Sequence, residues 1–125
     1  MDAGQIYNSW PLMGSSFFPN DNEIMNIFKL SAFSDPSLVQ FMHRNLAYII
    51  LIFYLIVLFK IYKKKLINLY FAINLVGLLL FIQILLGILT LLYGAQILLA
   101  SMHQISSIFL VGSSVYLLYL SSKSN

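Results

Sequence analysis

The sequence predicts an all-α integral membrane protein with three transmembrane helices. Hydrophobic residues make up 60% of the chain and charged residues 9%, and the mean hydropathy is +0.87, outside the range of soluble globular domains. The charges are also segregated. All four acids (Asp2, Asp21, Glu23, Asp35) precede residue 36, and Lys60, Lys63, Lys64 and Lys65 lie together between two apolar runs. Three apolar runs, each long enough to cross a bilayer, occupy the rest.

Residues 1–37 hold all three prolines and clustered Asn, Ser and Gly, a loop composition. Tyr7, Trp10, Phe17, Phe18, Phe28 and Phe33 recur through them. Such aromatics suit the headgroup level of a bilayer or the roof of a binding site. Residues 1–5 show neither a basic region leading into an apolar core nor an Arg-rich pattern, so targeting is expected to reside in the spans. Asp35-Pro36-Ser37 supplies the breaker and cap that start a helix.

Span one is predicted over 38–59. At about 1.5 Å per residue its 22 residues cover a hydrocarbon core of about 30 Å. Its polar residues (Gln40, His43, Arg44, Asn45) are gathered at the start. Span two is predicted over 66–93, where no residue is charged, with Gly94 as the turn. Span three is predicted over 95–120, where only His103 titrates near neutrality. Lysines in short loops set orientation, so Lys60–Lys65 is expected to face the cytoplasm or matrix, with residues 1–37 extracytoplasmic. No cysteine is present, which excludes disulfides and thiol ligation. The net charge of +3 reads as a topology signal, with no nucleic-acid partner implied.

This topology sets His43 and His103 at similar depths below the same surface, roughly 7 to 12 Å down. An ionisable residue at that depth is a functional candidate. Helical phasing groups Gln40, His43, Ala47 and Ile50 on span one, Gln83, Gly87, Thr90 and Gly94 on span two, and Ala100, His103, Ser107, Leu110 and Ser114 on span three. Each histidine alone fits a bland role, His43 snorkelling outward and His103 bonding within a helix interface. Together they suit axial ligation of a heme by one imidazole from each of two helices. A structural zinc suits them less, because no Cys, Asp or Glu accompanies them in the spans. Arg44 is placed either to pair with a heme propionate or to reach the headgroups. No hydrolytic constellation is present and no residue is assigned a catalytic role. A bis-histidine electron-carrying cytochrome b subunit and a structural subunit without heme remain open at this point.

Asp2-Ala3-Gly4, Tyr7-Asn8-Ser9-Trp10-Pro11-Leu12-Met13-Gly14 and Gln40-Phe41-Met42-His43-Arg44 with Ala47-Tyr48 stand in this order. Gln83, Leu86-Gly87-Ile88-Leu89-Thr90-Leu91 and His103-Gln104 follow. The combination resembles the second half of heme A synthase, in its mitochondrial and alphaproteobacterial style, over nearly the whole chain. The resemblance implies an eight-helix enzyme of two four-helix halves that oxidises a methyl group of heme O to the formyl group of heme A for cytochrome oxidase. It implies His43 and His103 as axial ligands of a heme b cofactor, in the plasma membrane of a bacterium or the mitochondrial inner membrane. The chain departs from the family pattern in two respects. The first half and the helix that would precede Asp2 are missing, and Ser15 stands where an acidic residue is usual. The three spans are thus expected to form most of a four-helix heme-binding half-bundle. A partner supplying the first half would complete it, heme O would be the substrate, and a homo-oligomer is an alternative assembly.

Overall fold

The computed structural model describes residues 4–123, so Asp2 and Ala3 of the motif run above lie outside the described residues. It is helical, with three long helices: α1 (Pro36–Lys63), α2 (Tyr70–Leu92) and α3 (Ile97–Lys123). All three are long and apolar enough to cross a membrane, and the chain is an integral membrane protein. Short 3-10 turns occupy Ile24–Phe28, Leu30–Ser34 and Ile67–Leu69.

The helix ends follow local chemistry. Asp35 caps α1 by accepting from the Leu38 N–H at 3.0 Å, with Pro36 in the first turn. α1 runs four residues past its apolar stretch because Lys60 and Lys63 sit favourably at the negative end of the helix dipole. It closes in a Schellman arrangement, the Lys65 N–H bonding the Tyr62 carbonyl and the Leu66 N–H bonding the Ile61 carbonyl, both at 3.1 Å. Lys65 itself takes the left-handed conformation at φ 53°. Leu66 and Ile61 then join one apolar cluster with Leu69 and Ile73, so the turn chemistry and the core support each other.

α2 and α3 pack as an antiparallel pair. Half-buried Leu99, Ala100 and Ser107 flank an inward row on α3 made by His103, Ser106, Leu110, Ser113, Leu117 and Leu120. Their alternating three- and four-residue spacing is that of a left-handed helix pair. Of the stripe read from the sequence, Ala100, His103, Ser107 and Leu110 are half-buried and Ser114 alone is exposed. Ser107 and Ser114 bond carbonyls of their own helix at 2.6 and 2.8 Å, and the buried serine is Ser113. The outward faces carry exposed apolar side chains, such as Phe53 at 67%, Phe81 at 66% and Leu118 at 69%. A bilayer gives these faces the apolar solvent they need.

α1 joins α2 through its last third, by Tyr54, Val57, Leu58 and Ile61. There the Tyr54 hydroxyl donates to the Ile73 carbonyl at 3.4 Å. It comes so near Gly77 that a Cβ on residue 77 would lie 2.7 Å from Tyr54 Cζ. Tyr62 stacks on Tyr70 with ring centres 4.4 Å apart and bonds Asn74. At the other end of α1, His43 is exposed.

The segment before α1 bridges that open end. Arg44 donates from Nη2 to the Tyr7 carbonyl at 3.0 Å and from Nη1 to the Leu12 carbonyl at 3.1 Å, and Gln40 Nε2 reaches the Tyr7 carbonyl at 3.2 Å. Phe17 and Phe18 meet Phe41 edge to face at 5.8 and 5.0 Å, and Met13 and Pro19 are fully buried. On the far side the segment presses against the α2–α3 turn. A Cβ on Gly94 would lie 3.3 Å from Asn8 Nδ2, and one on Gly4 3.0 Å from Ala95 Cβ. Asp21 fastens the lower loop, accepting from Ser37 Oγ at 2.5 Å and from the Tyr7 hydroxyl at 2.9 Å. The Ser37 bond first, and the Tyr7 bond after it, hold the Asp21 carboxyl below the usual carboxylate range.

Candidate functional site

The two histidines meet. His43 lies in the second turn of α1 and His103 in the second turn of α3. Their ring centres are 6.2 Å apart with planes at 73°. A metal-bound imidazole nitrogen stands about 2 Å from its ion and the ring centre roughly 1.1 Å further back, so two rings flanking one ion have centres about 6 Å apart. The observed separation of the ring centres equals that spacing. Among the described residues no group of three or more His, Cys, Asp or Glu side chains converges. Whatever is held here must bring its own remaining donors, as the four nitrogens of a porphyrin do, and the residues present fit such a group.

His103 is the more constrained of the pair. Its Nδ1 lies 3.1 Å from the backbone carbonyl of Gln83, which assigns the proton to Nδ1 and leaves the Nε2 lone pair for a ligand. That carbonyl already receives the helical bond from residue 87, and it is open to a second donor because residue 87 is glycine. A Cβ there would lie 3.0 Å from His103 Cε1 and 3.5 Å from Nδ1, too close for the ring to keep its place. Tyr54 reaches the Ile73 carbonyl by the same device, with Gly77 four residues on. The side chain of Gln83 also takes part, its Nε2 standing 3.4 Å from His103 Nε2. The Ser106 hydroxyl makes a short bond to Gln83 Oε1 and lies 3.0 Å from the His103 carbonyl.

The sequence-based residues divide as follows. His43, His103, Gln83 and Gly87 come together. Gln40, grouped with His43 by phasing, is buried and serves the loop carbonyl of Tyr7, and Ile50 of the same stripe is 44% exposed. Thr90 bonds the Leu86 carbonyl of its own helix at 2.7 Å. Arg44 spends its terminal nitrogens on loop carbonyls, while its buried Nε has no protein partner. Ser106 was not anticipated. Its signal was available in the spacing 103, 106, 110, 113, which becomes decisive only once the α2–α3 crossing is known.

Comparison with known proteins shows what the chain is similar to. The chain is 43% identical to the heme A synthase of Pelagibacter ubique over 122 residues, 98% of this chain and 36% of that protein. It is 37% identical to the heme A synthase of Rickettsia africae, over 96% of this chain and 35% of that one. To the enzyme of Roseobacter denitrificans it is 38% identical, over 83% and 27% respectively. The chain thus spans about a third of the length of the curated relatives it matches. No solved structure matches it. The family profile of the cytochrome oxidase assembly proteins matches residues 1–115, and the chain belongs to that family, COX15-CtaA.

Proposed function

We propose that this chain is the C-terminal, cofactor-holding half of a heme A synthase, an oxidoreductase that converts the methyl group of heme O to the formyl group of heme A. In this reading His43 and His103 are the axial ligands of a heme b. The observation that carries it is the pairing of two imidazoles from different helices at 6.2 Å, in a protein whose relatives are heme A synthases. A heme held there supplies one-electron transfer.

The chain's own residues orient and enclose. The Gln83 carbonyl holds the proton on His103 Nδ1, so Nε2 is the nitrogen that keeps a lone pair for a ligand. Gly87 allows the ring to lie against α2. The segment before α1 spans from Gln40 and Arg44 to the α2–α3 turn, and Arg44 Nε, buried without a protein partner, is the donor proposed for a carboxylate of the bound macrocycle. The bridging segment and the α2–α3 turn lie on the extracytoplasmic side in this reading, and Lys60–Lys65 on the cytoplasmic or matrix side.

Proton transfer to the substrate is assigned to residues beyond this chain. A general acid or base must come within about 2.6 to 3.2 Å of the atom it serves, and the carboxylates Asp21, Glu23 and Asp35 all precede α1. A partner carrying the first half of the enzyme is therefore required for heme O oxidation. The test is a titration of the detergent-purified chain with heme b. A low-spin bis-imidazole spectrum that His43→Ala and His103→Ala each abolish is expected, and a spectrum indifferent to both substitutions would overturn the ligand assignment. Conversion of heme O to heme A by the isolated chain would overturn the need for a partner.

A further inference from the structure

Gln83 is an amide in the middle of a largely apolar membrane helix, a position that calls for a specific reason. Every polar atom of the residue that could be left wanting is engaged with α3. Its backbone carbonyl faces His103 Nδ1 at 3.1 Å, its amide nitrogen faces His103 Nε2 at 3.4 Å, and its amide oxygen takes the Ser106 hydroxyl. The orientation of the amide is fixed by this set. The Nδ1–H tautomer leaves a lone pair on the ring Nε2, so the amide turns its N–H to the imidazole and its Oε1 to the Ser106 hydroxyl. Both ring nitrogens of His103 are thereby satisfied by one residue of α2.

We propose that Gln83 is a positioning residue with two separable parts: its carbonyl aims the imidazole permanently, and its side-chain amide, held by Ser106, is a placeholder on the ligating nitrogen that withdraws when heme is bound. This rests on the reading of His103 as an axial ligand. The placeholder explains how an imidazole can wait inside a membrane protein without an unpaired lone pair, a state that apolar surroundings penalise. It also means that ligation exchanges a bond instead of filling an empty coordination site. A residue that merely supported the ring would strengthen heme binding by its presence, whereas a placeholder competes with heme and weakens it.

That difference in sign is the test. Removing one competing hydrogen bond should tighten binding by about 3- to 10-fold. Gln83→Leu and, to a smaller extent, Ser106→Ala are therefore expected to bind heme b more tightly than the parent chain, with the low-spin bis-imidazole spectrum unchanged. Unaltered or weaker binding in both variants, with helicity intact, would overturn the proposal. A second measurement uses no heme. In the 15N spectrum of the heme-free chain His103 should show a protonated Nδ1 and a hydrogen-bonded, pyridine-type Nε2. Gln83→Leu should move that Nε2 resonance to the value of a free nitrogen while Nδ1 stays. An Nε2 signal that does not respond would refute the placeholder even if heme binds. A signal that responds in a chain that takes up no heme would leave the placeholder standing and remove the ligand reading instead.

Discussion

Gly77→Ala places one methyl group where α1 meets α2. The added Cβ would fall 2.7 Å from Tyr54 Cζ and nearer still to the hydroxyl, whereas carbon atoms in contact prefer about 3.5 to 4.0 Å. The tyrosine ring must therefore shift by roughly 1 Å, away from the Ile73 carbonyl it now reaches at 3.4 Å and out of register with Val57, Leu58 and Ile61. Overpacking of this kind costs about 1–3 kcal/mol, and the lost hydrogen bond, already long, adds roughly 0.5 kcal/mol. Replacing glycine by alanine inside a helix returns about 1 kcal/mol, leaving a net destabilisation of about 0.5–2.5 kcal/mol. Reversible unfolding of the purified protein in mixed micelles, followed by helicity, measures it. The same substitution in a Tyr54→Ala background should lose its cost, because the obstructing ring is gone, and the difference between the two backgrounds isolates the contact. A Gly77→Ala protein as stable as the parent, or an equal loss in both backgrounds, would refute the argument.

Three further outcomes are expected. Asp21 has a folded-state pKa below its unfolded value of about 4, so its contribution is present above that pH and is lost as the pH falls through the lower folded value. Proteolysis of the segment before α1 should accelerate on acidification below about pH 4, and Asp21→Asn, cut readily at every pH, should abolish the dependence. Arg44→Lys leaves one ammonium where a planar fork serves the carbonyls of Tyr7 and Leu12. Protease nicking of residues 4–34 should rise several-fold with helicity retained, and an unchanged nicking rate would count against the clamp. Single cysteines introduced at Ser16 and Lys64 should label from opposite faces of sealed vesicles, and labelling from one face would reject the proposed orientation.

The helices were legible because long uncharged runs have one stable form in lipid, and the two histidines because nothing else in those runs titrates near neutrality. Helix ends were less so. The lysines that mark the edge of span one also suit a helix C-terminus, so α1 continues through Lys63 where hydropathy alone stops at Phe59. Side-chain roles were read to within about one residue of phase. Ser106 and Ser107 differ by roughly 100° around α3, and only the crossing with α2 decides which one faces Gln83. Arg44 was harder still, since the carbonyls of Tyr7, Pro11 and Leu12 that surround it belong to a loop whose path is set by distant contacts. Gly77 was invisible as a contact, because a missing side chain records nothing about what approaches it.

The attachment of α1 by its last third turns the helix into a lever. Eleven residues separate Tyr54 from His43, about 16 Å of helix, so each degree of tilt carries the imidazole about 0.3 Å. Metal–ligand distances tolerate only about ±0.2 Å, which confines the tilt of α1 to within a degree once an ion is bound. Packing at Tyr54 lies too near the fulcrum to impose such a limit. The tie has to act at the far tip, beside the load, where Gln40 and Arg44 are fastened to a strut that also bears on the turn between α2 and α3. Residues 4 to 13, remote from His43 in sequence, thus help to set the gap between the two imidazoles that the proposed ligand would occupy.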